Sequence, residues 1–137
     1  MKTSADVSES MLHFYDRLSA KDVDSFDSIV SGDPATLVIG TAPGEWVTER
    51  HQLRFGFEAE GLAIEPGPRP SGWESGDTGW FVDEPTFVFP GAAGRMRTRL
   101  TSVLQREGGT WRIVHMHVSV GVPDDEVVAL QRRWGVA

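Results

Sequence analysis

The chain has 137 residues, 39% of them hydrophobic, and 13 basic against 20 acidic residues give a formal charge of −7. A chain of this length buries about two-thirds of its unfolded surface around one core, so we predict a single domain over residues 1–137. The acidic balance argues against a nucleic-acid partner and an anionic membrane surface, and the lack of cysteine excludes disulfides, thiolate metal sites and thiol nucleophiles.

The N-terminal segment does not resemble a secretion signal. Residues 1–6 are mainly polar and end on Asp6, whereas a signal peptide needs an apolar run of about 7–15 residues. The sequence also lacks the apolar stretch of about 18 residues that a transmembrane helix requires. We therefore expect a cytoplasmic protein in a reducing compartment.

The first half of the chain has the periodicity of amphipathic helices. Apolar residues recur every three or four positions over residues 8–19, and again over fewer turns in residues 22–30. The short β-branched run at 36–40 predicts a strand. Leu53 and Phe57 lie four positions apart behind a capping threonine, and they predict a third helix over residues 48–61.

The second half changes to a period of two, which is typical of strands. Residues 61–79 are rich in glycine and proline and predict a short strand at 62–64 followed by a long loop. Helices followed by an antiparallel meander describe an α+β domain whose N-terminal helices cover one face of a curved sheet. The further strands are predicted over residues 79–82, 86–89, 96–105 and 111–120, and a short terminal helix over 123–134.

The two longest predicted strands each have a polar and an apolar face, because alternate side chains of a strand point to opposite sides. On the last strand, alternation groups His115 and His117 on the face that also carries Trp111 and Ile113. If the hairpin aligns like faces, this face continues across the preceding strand. The residues that join it there are Arg97, Arg99 and Thr101, and the opposite face of the last strand carries Val114, Met116 and Val118.

This polar face has two interpretations. Histidines beside guanidinium groups stay neutral, so His117 is the candidate catalytic base, His115 its helper, and Arg99 with Arg97 the candidate ligand-binding groups for an enolate or carboxylate. The alternative is a hydrogen-bonded interface or a partly solvated sheet face that fixes structure only. Sequence alone leaves both open.

Aromatic and apolar residues supply the remaining candidate ligand contacts. The chain has five tryptophans, and such side chains either fill a core or line an apolar cavity. Trp46 lies in a loop beside Glu45, where it can border a pocket mouth, and Trp80 opens a strand. We include both, together with Met116 and Val118, among the candidate ligand-binding residues.

No motif predicts a metal or a cofactor. The pair His115 and His117 offers two ligands, while His13 and His51 lie on distant helical segments, so a zinc or iron site is not predicted. The sequence contains no nucleophile elbow, no phosphate-binding glycine loop and no dinucleotide fingerprint. Serine hydrolases and the usual nucleotide-dependent enzymes therefore have no support.

Four segments together resemble the SnoaL-like domains of the nuclear transport factor 2-like superfamily, which has a cystatin-like fold. They are Gly-Thr-Ala-Pro-Gly-Glu-Trp at 40–46, Gly-Asp-Thr-Gly-Trp at 76–80, Arg-Leu-Thr at 99–101 and the closing strand at 111–119. The resemblance implies a cone-shaped α+β barrel, with three helices against a strongly curved sheet, that pairs into a homodimer through the sheet. The closing strand is also similar to the association domain of calcium/calmodulin-dependent protein kinases, which carries arginine where this chain has Val118.

The superfamily includes ketosteroid isomerase, scytalone dehydratase, limonene epoxide hydrolase and polyketide cyclases, so its fold does not determine a function. Our first hypothesis is a binding protein for a hydrophobic, carbonyl-bearing small molecule, or a cofactor-free isomerase, dehydratase or cyclase acting on one. The second hypothesis is a non-catalytic dimerisation or regulatory module. A third is the small subunit of a ring-hydroxylating oxygenase, which no residue singles out.

Overall fold

The computed structural model describes residues 1–91 and 94–136, and it contains five α-helices among them. The helices are α1 (Ala5–Ser19), α2 (Phe26–Ile29), α3 (Arg50–Leu53), α4 (Phe55–Glu58) and α5 (Asp124–Trp134), with a 3-10 turn at Val23–Ser25. The strands are β1 (Lys2–Thr3), β2 (Leu37–Ile39), β3 (Trp46–Val47), β4 (Ala63–Glu65), β5 (Ser71–Ser75), β6 (Thr78–Asp83), β7 (Thr86–Val88), β8 (Arg95–Arg97), β9 (Arg99–Glu107) and β10 (Thr110–Ser119).

Two sheets form the β layer. Within the described residues, the larger has seven strands in the order β1-β5-β6-β9-β10-β2-β3; β10 and β2 run parallel, and the other neighbouring pairs are antiparallel. The smaller has the order β4-β7-β8 and is antiparallel throughout. The N-terminal helices lie against the inner face of the large sheet, and the predicted α+β fold is confirmed.

Helix α1 supplies most of the helical side of the core. The Ser4 side chain caps its N-terminus by accepting a hydrogen bond from the Val7 amide at 3.2 Å. Fully burying an apolar side chain stabilises the fold by about 1.5–3 kcal/mol, so this one helical stripe contributes much of the packing energy. The buried stripe is Val7, Met11, Phe14, Tyr15 and Leu18, and it meets Phe81, Leu100 and Leu104 of the sheet.

A β-bulge in β10 decides which of its side chains face the helices. Ile113 pairs with Leu104 of β9 and His115 with Val103, which leaves Val114 as an extra residue. An extra residue reverses the alternation beyond it. Odd-numbered residues such as Ile113 therefore face the core before the bulge, and even-numbered ones face it afterwards. The prediction that Trp111 and Ile113 share a face with the two histidines is wrong for this reason.

The strand predicted over residues 96–105 is two strands in different sheets. The chain changes sheets at Thr98, which is buried, and both its amide and its hydroxyl donate to the Pro85 carbonyl oxygen, at 2.9 and 3.1 Å. A polar side chain at this corner satisfies its hydrogen bonds locally and ends β8. Arg97 is therefore the last residue of β8 in the small sheet, and Arg99 is the first residue of β9 in the large sheet.

Two other segments differ from the sequence predictions. The helix expected over 48–61 is interrupted at Arg54 and consists of α3 and α4. The loop expected before Gly79 contains β5, which pairs with β6.

Helix α5 has no buried residue. No helix of the described residues is long and apolar enough to cross a membrane.

Candidate functional site

The interior of the fold contains an apolar cavity of about 170 Å³ between the helices, the small sheet and the inner face of the large sheet. We call it the central cavity. Its deep wall consists of buried side chains such as Phe14, Phe57 and Ile113. The other lining residues are Leu18, Val30, Val38, Val47, Gln52, Leu53, Gly56, Leu62, Ile64, Phe87 and Met116.

Of the described residues that line the cavity, Gln52 alone has a polar side chain, and it is exposed at the rim. No ionisable side chain lines the central cavity within the described residues. Apolar walls hold a ligand through burial of its apolar surface. The Gln52 side chain at the rim can in addition donate hydrogen bonds through its NH2 group and accept them through its carbonyl oxygen. Among the described residues, the walls of the central cavity thus supply apolar contacts and one rim amide.

Met116 and Val118, two of the predicted ligand contacts, face inward because of the bulge in β10. Met116 lines the central cavity and is half-buried. Val118 is buried in the core and lies outside the lining. The structure therefore brings one of the two to the cavity.

His115 and His117 lie on the opposite side of the sheet, away from the central cavity. Nδ1 of His115 is 3.0 Å from the Leu37 carbonyl oxygen, which can only accept, so this nitrogen carries the proton and donates. His117 is exposed and lies between Thr101 of β9 and Ile39 of β2. The structure does not join either histidine to the cavity, and their catalytic roles stay predictions.

Trp46 and Trp80 also lie on the side of the large sheet that faces away from the helices. Trp46 pairs with Ile39 at the sheet edge and is 65% exposed. Trp80 packs on Trp73 of the neighbouring strand, with ring centroids 4.5 Å apart, and is 39% exposed. Neither lines the central cavity, because strand alternation turns both side chains outward.

These residues belong to a continuous surface that we call the outer face. It consists of the outward side chains of the large sheet, and its exposed aromatic groups make it unlike a fully solvated surface. Its members are Leu37, Ile39, Trp46, Trp73, Trp80, Val82, Arg99, Thr101, Val103, His115 and His117.

Arg97 and Arg99 line a second depression, which is separate from the central cavity and shares Val82, Arg99 and Thr101 with the outer face. This arginine groove has a volume of about 320 Å³ and also includes Arg69, which the sequence analysis did not single out. Arg97 forms an ion pair with Glu84. Glu84 also lines the groove, and the remaining lining residues are Pro68, Val82, Asp83, Leu100 and Thr101.

Asp83 and Tyr15 form a buried polar pair between the arginine groove and α1. The Tyr15 hydroxyl donates to Oδ2 of Asp83 at 3.2 Å. Burial raises the pKa of the Tyr15 phenol above its ordinary value, and the nearby charge of Asp83 raises it further. Asp83 also accepts from the amides of Gly67 at 3.0 Å and Glu84 at 2.8 Å. The pair joins helix, sheet and loop.

A third and larger depression lies beside α1. It has a volume of about 460 Å³, and its walls include Glu9 and His13 of the helix and Arg106 of β9. The Arg106 guanidinium lies 4.4 Å from the Trp111 ring centroid and 3.5 Å from a Glu74 oxygen, so it is already partnered. Among residues 1–91 and 94–136, no three His, Asp or Glu side chains are placed to hold a metal ion.

The family model of the SnoaL-like domain matches residues 7–123, so α5 lies outside the match. No curated protein matches the chain. Solved structures similar to it include a nuclear transport factor 2-like superfamily protein from Salmonella enterica serovar Typhimurium, with 15% identity, a TM-score of 0.73 and coverage of 86% of this chain and 90% of that chain.

Two further structures have TM-scores of 0.66 and 0.65. The first is the association domain of the calcium/calmodulin-dependent protein kinase II from Caenorhabditis elegans, with 18% identity and coverage of 84% of this chain and 93% of that one. The second is a protein with a cystatin-like fold from Caulobacter vibrioides, with 17% identity and coverage of 93% and 96%. At these identities the likeness establishes the fold.

Proposed function

The chain belongs to the SnoaL-like domain family, and on this basis we propose that it binds a small, mainly apolar molecule in the central cavity. The observation that carries the proposal is the lining, which is apolar except for Gln52 at the rim. Enzymes that move protons place a titratable group within hydrogen-bond reach of the substrate. The described lining has none, so binding is the function that the cavity supports best.

The size of the central cavity limits the ligand. Its volume is about 170 Å³, and a dry apolar cavity of about 150 Å³ in another protein holds benzene. A single six-membered ring therefore fits, with one substituent directed to the rim. The Gln52 amide can donate to a carbonyl oxygen there, so we propose a cyclic ketone or a similar carbonyl compound as the ligand class.

A pair of cyclic probes tests this proposal. We expect cyclohexanone to raise the melting temperature of the wild-type protein by about 5 °C at a concentration tenfold above its Kd, because a ligand of the native state stabilises it by mass action. Methylcyclohexane, which lacks the carbonyl, should bind about three- to tenfold more weakly. Gln52→Leu should remove that difference between the two probes.

A variant that fills the cavity provides the control. Val47→Phe adds a ring at a half-buried lining position and should abolish the shift, whereas Val128→Phe on the exposed side of α5 should keep it. Equal shifts in both variants, or no shift in the wild-type protein, would contradict binding in the central cavity. Circular dichroism of each variant verifies that the fold is intact.

The outer face supports a second candidate function, self-association. Trp46 and Trp80 are exposed beside half-buried Leu37, Ile39 and Val103, which is the composition of a protein interface rather than of a solvated sheet. The similar solved structures include association domains, which favours the same use here. In a homodimer built this way, His115 and His117 would lie in the interface.

Light scattering after size exclusion tests this second candidate. We expect the wild-type protein to elute as a dimer and Trp80→Glu as a monomer, because the substitution places a carboxylate in the apolar centre of the outer face. Trp134→Glu is the matched control, since Trp134 is 65% exposed on α5. A monomeric wild-type protein, or dissociation by the control substitution alone, would refute an interface on the outer face.

A further inference from the structure

Three arginines converge on one groove of a protein whose formal charge is −7. Arg69 lies on the loop before β5, Arg97 is the last residue of β8 and Arg99 is the first residue of β9. We propose that the arginine groove is a second binding site, which takes a small anion whose charge is carried by oxygen, either a carboxylate or a phosphate. This site is independent of the central cavity.

The loop that carries Arg69 is held in place before any ligand arrives. Its sequence is Pro-Gly-Pro-Arg-Pro over residues 66–70, and each proline fixes its own φ. The Gly67 amide donates to Asp83 at 3.0 Å, and a Cβ at Gly67 would come within 2.5 Å of the other Asp83 oxygen. Only glycine therefore allows this approach, and the backbone at Arg69 is preorganised, which lowers the entropic cost of binding.

The other two arginines are fixed by the corner between the sheets. Thr98 separates them and is anchored to the Pro85 carbonyl oxygen through its amide and hydroxyl. Arg97 borders the groove from the small sheet and Arg99 from the large sheet, one on each side of this corner. The site thus has two rigid walls, the proline loop and the corner.

The charges in the groove leave two guanidinium groups available. Among the described residues, no carboxylate forms an ion pair with Arg69 or Arg99, while Arg97 is paired with Glu84. The Arg99 guanidinium lies 3.5 Å from the Val120 carbonyl oxygen, a contact at the limit of hydrogen bonding.

Asp83 places a second carboxylate in the wall, but its oxygens accept from Tyr15, Gly67 and Glu84. A guanidinium binds carboxylate or phosphate through two parallel hydrogen bonds, and the Thr101 hydroxyl offers one more donor. The donors that remain available therefore select an oxyanion.

Titrations of the full chain with inorganic phosphate and with acetate, followed by NMR of the arginine Nε–H groups, test the proposal. Both ions are too polar for the central cavity, so binding there does not interfere. We expect saturable shifts at Arg69 and Arg99, and a Kd that rises about fivefold in Arg69→Gln and in Arg99→Gln. Tighter binding of phosphate identifies the ligand class as phosphates, and tighter binding of acetate as carboxylates.

Arg95→Gln is the matched control. Arg95 lies on the same strand as Arg97 but is paired with Glu65 and lies outside the groove. Its replacement should leave both Kd values unchanged. An equal loss of affinity in Arg95→Gln, which indicates nonspecific attraction, or no saturable shift with either ion would overturn the proposal. The three arginines are exposed, and circular dichroism confirms folding of the variants.

Discussion

Asp83→Ala is expected to lower the free energy of unfolding by about 3 kcal/mol or more. The buried carboxylate accepts from the Tyr15 hydroxyl and from the amides of Gly67 and Glu84. Alanine leaves these donors without an acceptor, and each unsatisfied buried group costs about 1–3 kcal/mol, less where water enters the space. Urea unfolding followed by tryptophan fluorescence measures the loss.

Asp77→Ala is the control for this prediction, since Asp77 is an exposed residue in the turn before β6. It should change the free energy of unfolding by less than about 0.5 kcal/mol. A loss below about 1 kcal/mol in Asp83→Ala would contradict a supporting role for the Asp83 network.

The single tyrosine of the chain gives this network a second readout. Burial, and then the charge of Asp83, raise the pKa of Tyr15 in the folded protein above its unfolded value of 10.0. Above pH 10 the unfolded chain therefore releases a proton that the native protein keeps, and stability falls as the pH rises. Phenolate absorbance should appear only as the protein unfolds, and at lower pH in Asp83→Ala than in the wild-type protein.

Phe57→Ala is expected to cost about 3–5 kcal/mol, the range for removing a buried phenyl ring from a core. Phe57 is 1% exposed, and its ring centroid lies 5.9 Å from that of Phe14 and 5.5 Å from that of Phe26. It also lines the central cavity, so its truncation enlarges an existing space that the rigid sheet cannot close. Thermal and urea unfolding measure the change.

Phe55→Ala separates this effect from loss of helix α4. Phe55 lies two residues away in the same helix but is 67% exposed, so its truncation should cost less than about 0.5 kcal/mol. Benzene should stabilise Phe57→Ala more than it stabilises Phe55→Ala or the wild-type protein, because only the first variant gains apolar space beyond the existing cavity. Equal losses in the two variants would show that α4, and not the cavity wall, responds.

Most helices and strands can be predicted from the sequence, because their hydrophobic periodicity and their turn residues lie within or beside a single element. The helical stripe of α1 and the strands that contain Phe81 and Trp111 follow from periodicity, and the glycine pair at 108–109 predicts the hairpin between β9 and β10. The order of helices and strands then leads to the α+β class. Strand β5 is not predicted from the sequence, because its glycine and serine content resembles that of a loop, and pairing with β6 stabilises it as a strand.

The candidate sites were less predictable, because they depend on which side of the sheet each residue occupies. Strict alternation placed His115, His117, Arg97 and Arg99 together, and the structure separates Arg97 from that face at the corner formed by Thr98. Arg69 lies some thirty positions from Arg99 in the sequence, and only the folded loop brings the two to one groove.

The fold class, the buried stripe of α1 and the residue types available for binding can be predicted from the sequence, because they depend on composition and on patterns within one element. Which of those residues lie next to one another depends on how the strands pair and where they bend. The extra residue at Val114 reverses which side chains of β10 face the core beyond it, and the corner at Thr98 moves the chain from the small sheet to the large one. These irregularities arise from packing between distant strands. The central cavity, the outer face and the arginine groove therefore cannot be located from the sequence alone.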